Sequence, residues 1–480
     1  MYLGFDIGTS GVKAVALTDE GVVAGQATSP LTVSNPSPGW SEQDPQDWWS
    51  AICDAVQQLD PGLRRQIKAI GLSGQMHGAT LLNQEDRPLR PAILWNDGRS
   101  AAECAAIEAA VPDSRQITGN LAMPGFTAPK LLWVRDHEPD IFAAIRTVLL
   151  PKDFVRLKMT GDKASDLSDS AGTLWLDVAR REWSDAMLSA TGLNRSHMPE
   201  LYEGNSPTGR LLADVASNWG MDRVPVSAGA GDNAAGAIGV GAIADGDGLL
   251  SLGTSGVIFV ATGSFRPNPE NAIHAFCHAI PDTWHQMSVH LSAASCIDWA
   301  ARQLGIGDAA NFMSRAQEAG AAHGPELFLP FLSGERTPHN DPDLRAGWIE
   351  CDSQTTPGRL ACAVLEGIAF AHADGLSVLR EAGTQVDRLS VIGGGSRSRF
   401  WGRILASALD VRLDYLDRGE VGPAIGAAHL ARMAATGEAP SSVCRRPDII
   451  QTIEPDPELA ERLAPKRVRY CQSVSNLKSQ

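Results

Sequence analysis

Gly8-Thr9-Ser10-Gly11-Val12 recurs letter for letter as Gly253-Thr254-Ser255-Gly256-Val257 in a chain of 480 residues. An apolar run precedes each copy, Tyr2-Leu3-Gly4-Phe5 in one case and Leu249-Leu250-Ser251-Leu252 in the other, and a run rich in Val, Ala, Ile and Phe follows. The pattern predicts two β-hairpins, each closed by a glycine-rich turn. Glycine accepts positive φ and has no side chain to block an anion, so such a turn lets several backbone N–H groups converge on one phosphate. A single copy reads as a tight turn. Two copies, each opening half of the chain, read as a phosphate chain gripped from both sides.

Length supports the same division, because 480 residues exceed what one hydrophobic core usually serves. The expected domains are an N-terminal one over 1–240 and a C-terminal one over 241–440, with a helical tail, 441–480, packed on the body. The glycine- and acid-rich stretch 241–248 is the expected linker or hinge. The formal net charge is −15, and the only basic run is Lys466-Arg467-Val468-Arg469. Nucleic acid and anionic membranes are therefore excluded as partners on electrostatic grounds. The chain opens on a strand rather than on a basic, then apolar, leader, and the apolar stretch 234–243 is short and soon followed by Asp245, so no membrane span is expected. Eight scattered cysteines with no Cys-x-x-Cys pair read as reduced thiols in the cytoplasm. His274-Ala275-Phe276-Cys277-His278 matches alternation along a buried strand as well as it matches a metal site, and no metal is expected there.

In chain order, Trp48, Trp49, Ile52, Ala55, Val56 and Leu59 fall at helical spacing after Asp44-Pro45, a good N-cap followed by a proline suited to the first helical position. Residues 67–73 read as a buried strand ending in Gly74-Gln75-Met76-His77-Gly78, a turn exposing polar side chains. Ala92-Ile93-Leu94-Trp95 reads as a second, ending in Asn96-Asp97-Gly98-Arg99. Taken singly, His77 is an ordinary structural histidine and Asn96-Asp97-Gly98 a plain turn. Together they bring polar groups to strand ends, where α/β proteins bind ligands. Trp133, Trp175 and Trp183 are read as core or pocket wall.

The sharpest single residue is Asp232. A strand, Val224-Pro225-Val226-Ser227, leads to Gly229-Ala230-Gly231-Asp232-Asn233 and then to a small-residue helix. A carboxylate there is an N-cap, a rigidly held functional group, or both, and the surrounding glycines exceed what a cap needs. In the second half a helix is expected near 292–303. A strand and exposed loop are expected over 328–336, and a long helix over 357–382. Leu389-Ser390-Val391-Ile392 then opens into Gly393-Gly394-Gly395 before a helix, a place where backbone amides approach a nucleotide. The strand Arg412-Leu413-Asp414-Tyr415 and the small-residue helix from Gly422 complete the half.

Two halves of mixed strands and helices, each opening on the same hairpin, define an α/β fold duplicated around a central cleft. That is the arrangement of the actin-like, ribonuclease H-like, ATPase superfamily. Asp6-Ile7-Gly8-Thr9-Ser10, Gly231-Asp232-Asn233, Ser251-Leu252-Gly253-Thr254-Ser255 and Gly393-Gly394-Gly395 resemble the motifs of the FGGY carbohydrate kinases, over almost the whole chain. Gly74-Gln75-Met76-His77-Gly78-Ala79-Thr80, Trp95-Asn96-Asp97-Gly98-Arg99, Pro124-Gly125-Phe126-Thr127-Ala128-Pro129-Lys130 and Leu332-Ser333-Gly334-Glu335-Arg336-Thr337-Pro338 resemble the members that act on D-xylulose. The resemblance implies transfer of the ATP γ-phosphate to the 5-hydroxyl of D-xylulose, with Mg²⁺.

On that resemblance Asp232 is the general base and Asp6 sits by the Mg²⁺–phosphate group, holding the metal through water. Met76, His77, Asn233 and Trp95 contact the ketose. Gly8, Thr9, Gly253 and Thr254 hold phosphates, while Gly394 and Gly395 hold the nucleoside end. Lys13 either neutralises phosphate charge or is a plain strand lysine. Such chemistry relies on positioning and charge stabilisation rather than on a covalent nucleophile. An ordinary aspartate, with a pKa of about 4, serves as base when the proton moves late. Arg345-Ala346-Gly347-Trp348-Ile349-Glu350-Cys351 departs from the family's more aliphatic, glycine-richer pattern. Rival readings are a kinase for D-ribulose, L-xylulose or a polyol, and a non-catalytic sugar or nucleotide sensor on the same scaffold. The sequence leaves a homodimer open.

Overall fold

The structure is a computed structural model that describes residues 1–417 and 422–478. In the first half, β1 (Tyr2–Ile7), β2 (Gly11–Leu17), β3 (Val23–Pro30), β4 (Ala69–Gly74), β5 (Pro207–Arg210), β6 (Pro225–Ser227) and β7 (Ala230–Gly231) form one sheet. Its order is β5-β6-β4-β1-β2-β3, with β7 also paired to β4. β1 and β2 make the expected antiparallel hairpin, closing on the pair Ile7 and Val12. Alternation sends Leu3, Phe5 and Ile7 into a core completed by α1 (Pro45–Gln58). Asp44 caps α1 as read from sequence, its side chain accepting the Gln46 N–H at 2.9 Å. α2 (Thr127–His137), α3 (Pro151–Thr160), α4 (Leu167–Ala171) and α5 (Asp232–Gly239) complete what the site needs from this half.

The second half repeats the plan. β8 (Gly248–Leu252), β9 (Gly256–Thr262), β10 (His274–Cys277), β11 (Trp284–His290), β12 (Arg388–Ile392), β13 (Arg412–Leu416) and β14 (Ile449–Ile453) lie in the order β10-β11-β9-β8-β12-β13-β14. β8 and β9 form the second hairpin, closing on Leu252 and Gly256. Around this sheet pack α6 (Ala294–Gln303), α7 (Pro357–Glu381) and α8 (Arg399–Leu409), while α9 (Gly422–Thr436) crosses to the first sheet and α10 (Pro457–Lys478) returns to the second core. α7 is long and apolar enough to cross a bilayer, but it is a core helix, with 89% of its most apolar window buried. Beyond residue 440, β14 pairs antiparallel with β13, a strand the sequence reading did not anticipate, and α10 buries Leu459, Leu463, Tyr470 and Val474 in the second core.

The expected strand and exposed loop over 328–336 need correction. The strand is only Leu327–Leu329, and it pairs with Gly347–Ile349, so the segment that departs from the family pattern is the other half of a two-stranded ribbon. Trp348 stacks on Trp299 there, with ring centroids 5.3 Å apart. The loop itself is tied down rather than exposed at Glu335 and Thr337. Glu335 accepts the N–H groups of Leu291 and Arg336, and Thr337 bridges the Ala272 carbonyl and the Val289 N–H.

The halves are joined by an exchange of helices. α9 lies against the first sheet so closely that a Cβ on Gly4 would stand 1.9 Å from the Ala424 carbonyl oxygen, and one on Gly71 1.9 Å from that of Ala427. α5 meets α9 in the same way, since a Cβ on Gly426 would stand 1.8 Å from the Ala235 carbonyl oxygen. In return, Ala237 of α5 and Val240 just after it share a core with Leu249, Phe259 and Leu416 of the second half. Only glycine permits these backbone-to-backbone approaches.

Candidate active site

The register of the first sheet assembles two carboxylates. Asp6 on β1 and Ala230 on β7 both pair with Ser73 on β4, from opposite sides, and Ile7 and Gly231 both pair with Gly74. Asp232 follows at once, as the first residue of α5. Gly231, not Asp232, is the N-cap, and Asp232 Oδ1 accepts the Asn233 N–H at 2.8 Å and the Asn233 side-chain amide at 2.9 Å. Asp6 receives the Ser73 hydroxyl at 3.3 Å and lies across the hairpin from Lys13. Burial, only partly offset by Ser73 and Lys13, raises the Asp6 carboxyl to about 6. Burial and then the charge of Asp6 raise Asp232 to about 7. The ordinary aspartate value assumed from sequence does not hold at this position, because two poorly solvated carboxylates stand near the same end of β4.

Beside them lie Met76 and His77, the expected sugar contacts. Gly231 permits the approach of Met76, whose Cγ and Sδ would be 2.9 Å from any Cβ there. His77 is left-handed, at φ 69°, and its carbonyl accepts Lys130 Nζ at 3.0 Å and the Thr127 hydroxyl at 3.2 Å. Lys130 is fully buried, and burial brings its ammonium down to about 7. His77 Nδ1 lies 2.6 Å from the Gly172 carbonyl, which only accepts, so Nδ1 carries the proton and Nε2 keeps its lone pair. Burial first, then the nearby charge of Lys130, lowers the imidazole to about 3 and keeps it neutral. Phe126 meets the His77 ring edge-on, and His274 meets Phe126 likewise. Arg336, in the 332–338 motif of the second half, reaches His274 at 3.3 Å.

The first glycine turn closes through the Gly8 N–H to the Gly11 carbonyl at 3.0 Å. The Thr9 hydroxyl is held on both sides, accepting from Trp95 Nε1 at 3.0 Å and donating to Gln75 Oε1 at 3.0 Å. Gln75 donates in turn to Gln43, which also accepts from Trp48 and donates to the Thr9 carbonyl. This chain of amides was not read from sequence, because its members are far apart and only the fold joins them. Trp95 lies partly open over the turn. Asp97 and Arg99 are taken up by partners of their own. They pair with each other at 2.7 Å, both buried, and Arg99 also pairs with Glu42 and lies over the Trp40 ring.

The second turn closes through the Gly253 N–H to the Ser255 carbonyl at 3.1 Å. It docks on the start of α6, where Ala294 N–H donates to the Gly253 carbonyl, and Ala293 N–H and the Ser295 hydroxyl donate to that of Thr254. The Gly393-Gly394-Gly395 turn lies against its base. Gly393, at φ 85°, and Gly395 both press on Leu252, while Gly394 stands in open space. His274, Ala275, Phe276 and Cys277 are all buried along β10, so the strand is buried on both faces rather than alternating.

A duplicated two-sheet fold with paired glycine turns, two carboxylates at one strand end and the Met76-His77 turn beside them is that of a phosphotransferase acting on a small polar alcohol. Residues 1–239 match the N-terminal domain, and residues 248–435 the C-terminal domain, of the FGGY family of carbohydrate kinases. The chain belongs to that family. It is 55% identical over 439 residues to the xylulose kinase of Escherichia coli (strain K12), covering 91% of each chain. It is 50% identical over 480 residues to the xylulose kinase of Klebsiella pneumoniae, covering 100% of this chain and 99% of that one. Among solved structures, a xyloylose kinase from Brucella ovis superposes with a TM-score of 0.97 at 48% identity, covering 100% of this chain and 99% of that one.

Proposed function

We propose that the chain transfers the γ-phosphoryl group of ATP to the 5-hydroxyl of D-xylulose, yielding D-xylulose 5-phosphate and ADP. The observation that carries this reading is the placement of Asp232, a carboxylate raised to about 7, directly after Gly231, which Met76 approaches and which pairs with Gly74 one rung beyond Asp6. The relatives named above support the choice of sugar.

Asp232 accepts the proton of the sugar hydroxyl as the O–P bond forms. A base with a pKa near the working pH combines a useful fraction of the ionised form with a real affinity for the proton. Asn233 holds one oxygen of that carboxylate, leaving Oδ2 to face the alcohol. His77 accepts a hydroxyl hydrogen of the ketose at Nε2, and Met76 packs against its carbon face. The backbone amides of the two glycine turns receive phosphate oxygens, with Lys13 adding charge beside the first. Gly394, free of neighbours, and Gly395 border the nucleoside. Asp6 fits a hydrated cation, since its carboxylate has one neutral donor and a burial penalty that positive charge relieves. Mg²⁺ bound with ATP supplies neutralisation of the phosphate charge. Closure of the cleft excludes water, the competing acceptor.

ADP release, measured with D-xylulose, D-ribulose, L-xylulose, xylitol or no sugar, tests the reading. The greatest kcat/KM is expected for D-xylulose. A larger value for another sugar replaces the substrate, and tight binding without ADP release replaces catalysis by sensing.

A further inference from the structure

Behind the two catalytic turns lies a fully buried charge cluster that the mechanism above does not use. Lys152 Nζ, at the start of α3, stands 2.6 Å from Asp153, 2.7 Å from Asp166 and 3.1 Å from Asp169, with no side chain of the four exposed. Arg156 adds an ion pair to Asp153 at 2.9 Å. A buried net of ion pairs is weak evidence for stability, since desolvation offsets much of its attraction. Its value here lies in what it grips.

Two members of the cluster reach backbone belonging to the active site, Arg156 directly and Asp166 through Ser168. Arg156 donates to the Ala228 carbonyl, four residues before Asp232. Asp166 Oδ2 accepts the Ser168 N–H at 2.7 Å and the Ser168 hydroxyl, which fixes the hydroxyl hydrogen and turns the oxygen lone pairs outward. That oxygen accepts the Gly231 N–H at 3.2 Å, immediately before the base. On the other side, Lys152 packs its Cβ 3.2 Å from where a Cβ of Gly74 would stand, at the end of the strand leading to Met76. The same short helix, α4, ends at Gly172, whose N–H is held by the Asp169 carbonyl and whose own carbonyl holds His77. One five-residue helix thus touches the base at one end and the sugar-side histidine at the other.

We infer that Ser168, oriented by Asp166, is a positioning residue that sets where the Asp232 carboxylate stands relative to the sugar held by His77. This rests on the assignment of Asp232 as base. The Ser168 hydroxyl takes no proton from the substrate. It holds the Gly231 peptide and with it the first turn of α5. A displacement of about 1 Å at a reacting group costs up to about a hundredfold in rate, without weakening ground-state contacts.

Ser168→Ala, Ser168→Thr and Asp232→Asn, compared in the full chain, test this with D-xylulose and ATP. Ser168→Ala is expected to lower kcat about 10- to 100-fold with both KM values little changed, and Ser168→Thr, which keeps the hydroxyl, to restore most of the rate. Equal kcat for Ser168→Ala and the parent, or a loss that appears wholly in KM, overturns the inference while leaving the base in place. Turnover retained by Asp232→Asn overturns the base assignment itself. Should Ser168→Ala fail to fold, Ser168→Cys provides a weaker acceptor of similar size, and a parental kcat in that variant refutes the role.

Discussion

Asp6 and Asp232 reach the same end of β4 from its two sides, Asp6 opposite Ser73 and Asp232 just past the pair of Gly231 with Gly74. Neither has an ion-pair partner within salt-bridge distance among the described residues, and each disfavours ionisation of the other. The pair therefore titrates as a unit near neutrality rather than near 4.

The first expectation concerns pH. Sugar kcat/KM declines as the pH falls through about 7, where Asp232 takes up its proton, and declines further near 6 with Asp6. Removing the neighbouring charge by Asp6→Asn moves the Asp232 ionisation to lower pH. Carboxyl chemical shifts followed by NMR across pH 4–8 check this without relying on activity.

Asp232→Asn lowers sugar phosphorylation by about 10²–10⁴-fold or more, the range for loss of a general base, while nucleotide affinity by calorimetry stays close to that of the parent. The variant also carries a stability signature. The folded pKa of Asp232 lies above its unfolded value of 3.8, so the folded chain binds more protons between those values and loses stability as pH rises through them. The penalty is absent below about 3.8 and complete above about 7. The melting temperature of Asp232→Asn therefore exceeds that of the parent at pH 8 and approaches it at pH 4.

His77→Phe keeps the ring volume and removes both nitrogens. Loss of the Gly172 contact and of the Nε2 acceptor raises the ketose KM by roughly 10- to 100-fold, corresponding to about 1–3 kcal/mol for an unmet hydrogen bond, with the ATP KM unchanged. Because burial keeps His77 neutral, with its pKa at about 3, its contribution stays constant between pH 5 and 9. Initial-rate kinetics at several pH values measure both.

Gly426→Ala drives a methyl toward the Ala235 carbonyl and the Gly239 amide, which belong to backbone that has no side chain to yield. A loss of about 1–3 kcal/mol or more is expected for such overpacking, read as a fall in the urea midpoint. Gly394→Ala, in open space, leaves the midpoint unchanged.

The hairpins, the long α7 and the Asp232 turn were legible in the sequence because each is written locally, in glycine placement, alternation and helical spacing. Asp6 and Asp232 were legible as motifs, but their meeting depends on the parallel register of β1, β4 and β7, which joins residues more than two hundred positions apart. The same limit hid Ser73, Gln75 and Ser168. Asn96-Asp97-Gly98-Arg99 misled for a related reason. Polar residues after an apolar run look available to a ligand until the fold brings up partners such as Glu42 and Trp40.

The exchange of α5 and α9 bears on how the molecule melts. A polypeptide ending after residue 240 leaves Gly4 and Gly71 facing solvent along a strip that no side chain fills, and one beginning at 241 carries α9 with no sheet beneath it. Each half is thus the missing wall of the other. The sequence advertises a duplication, but the packing couples the two halves, so that neither keeps its buried backbone contacts without the other.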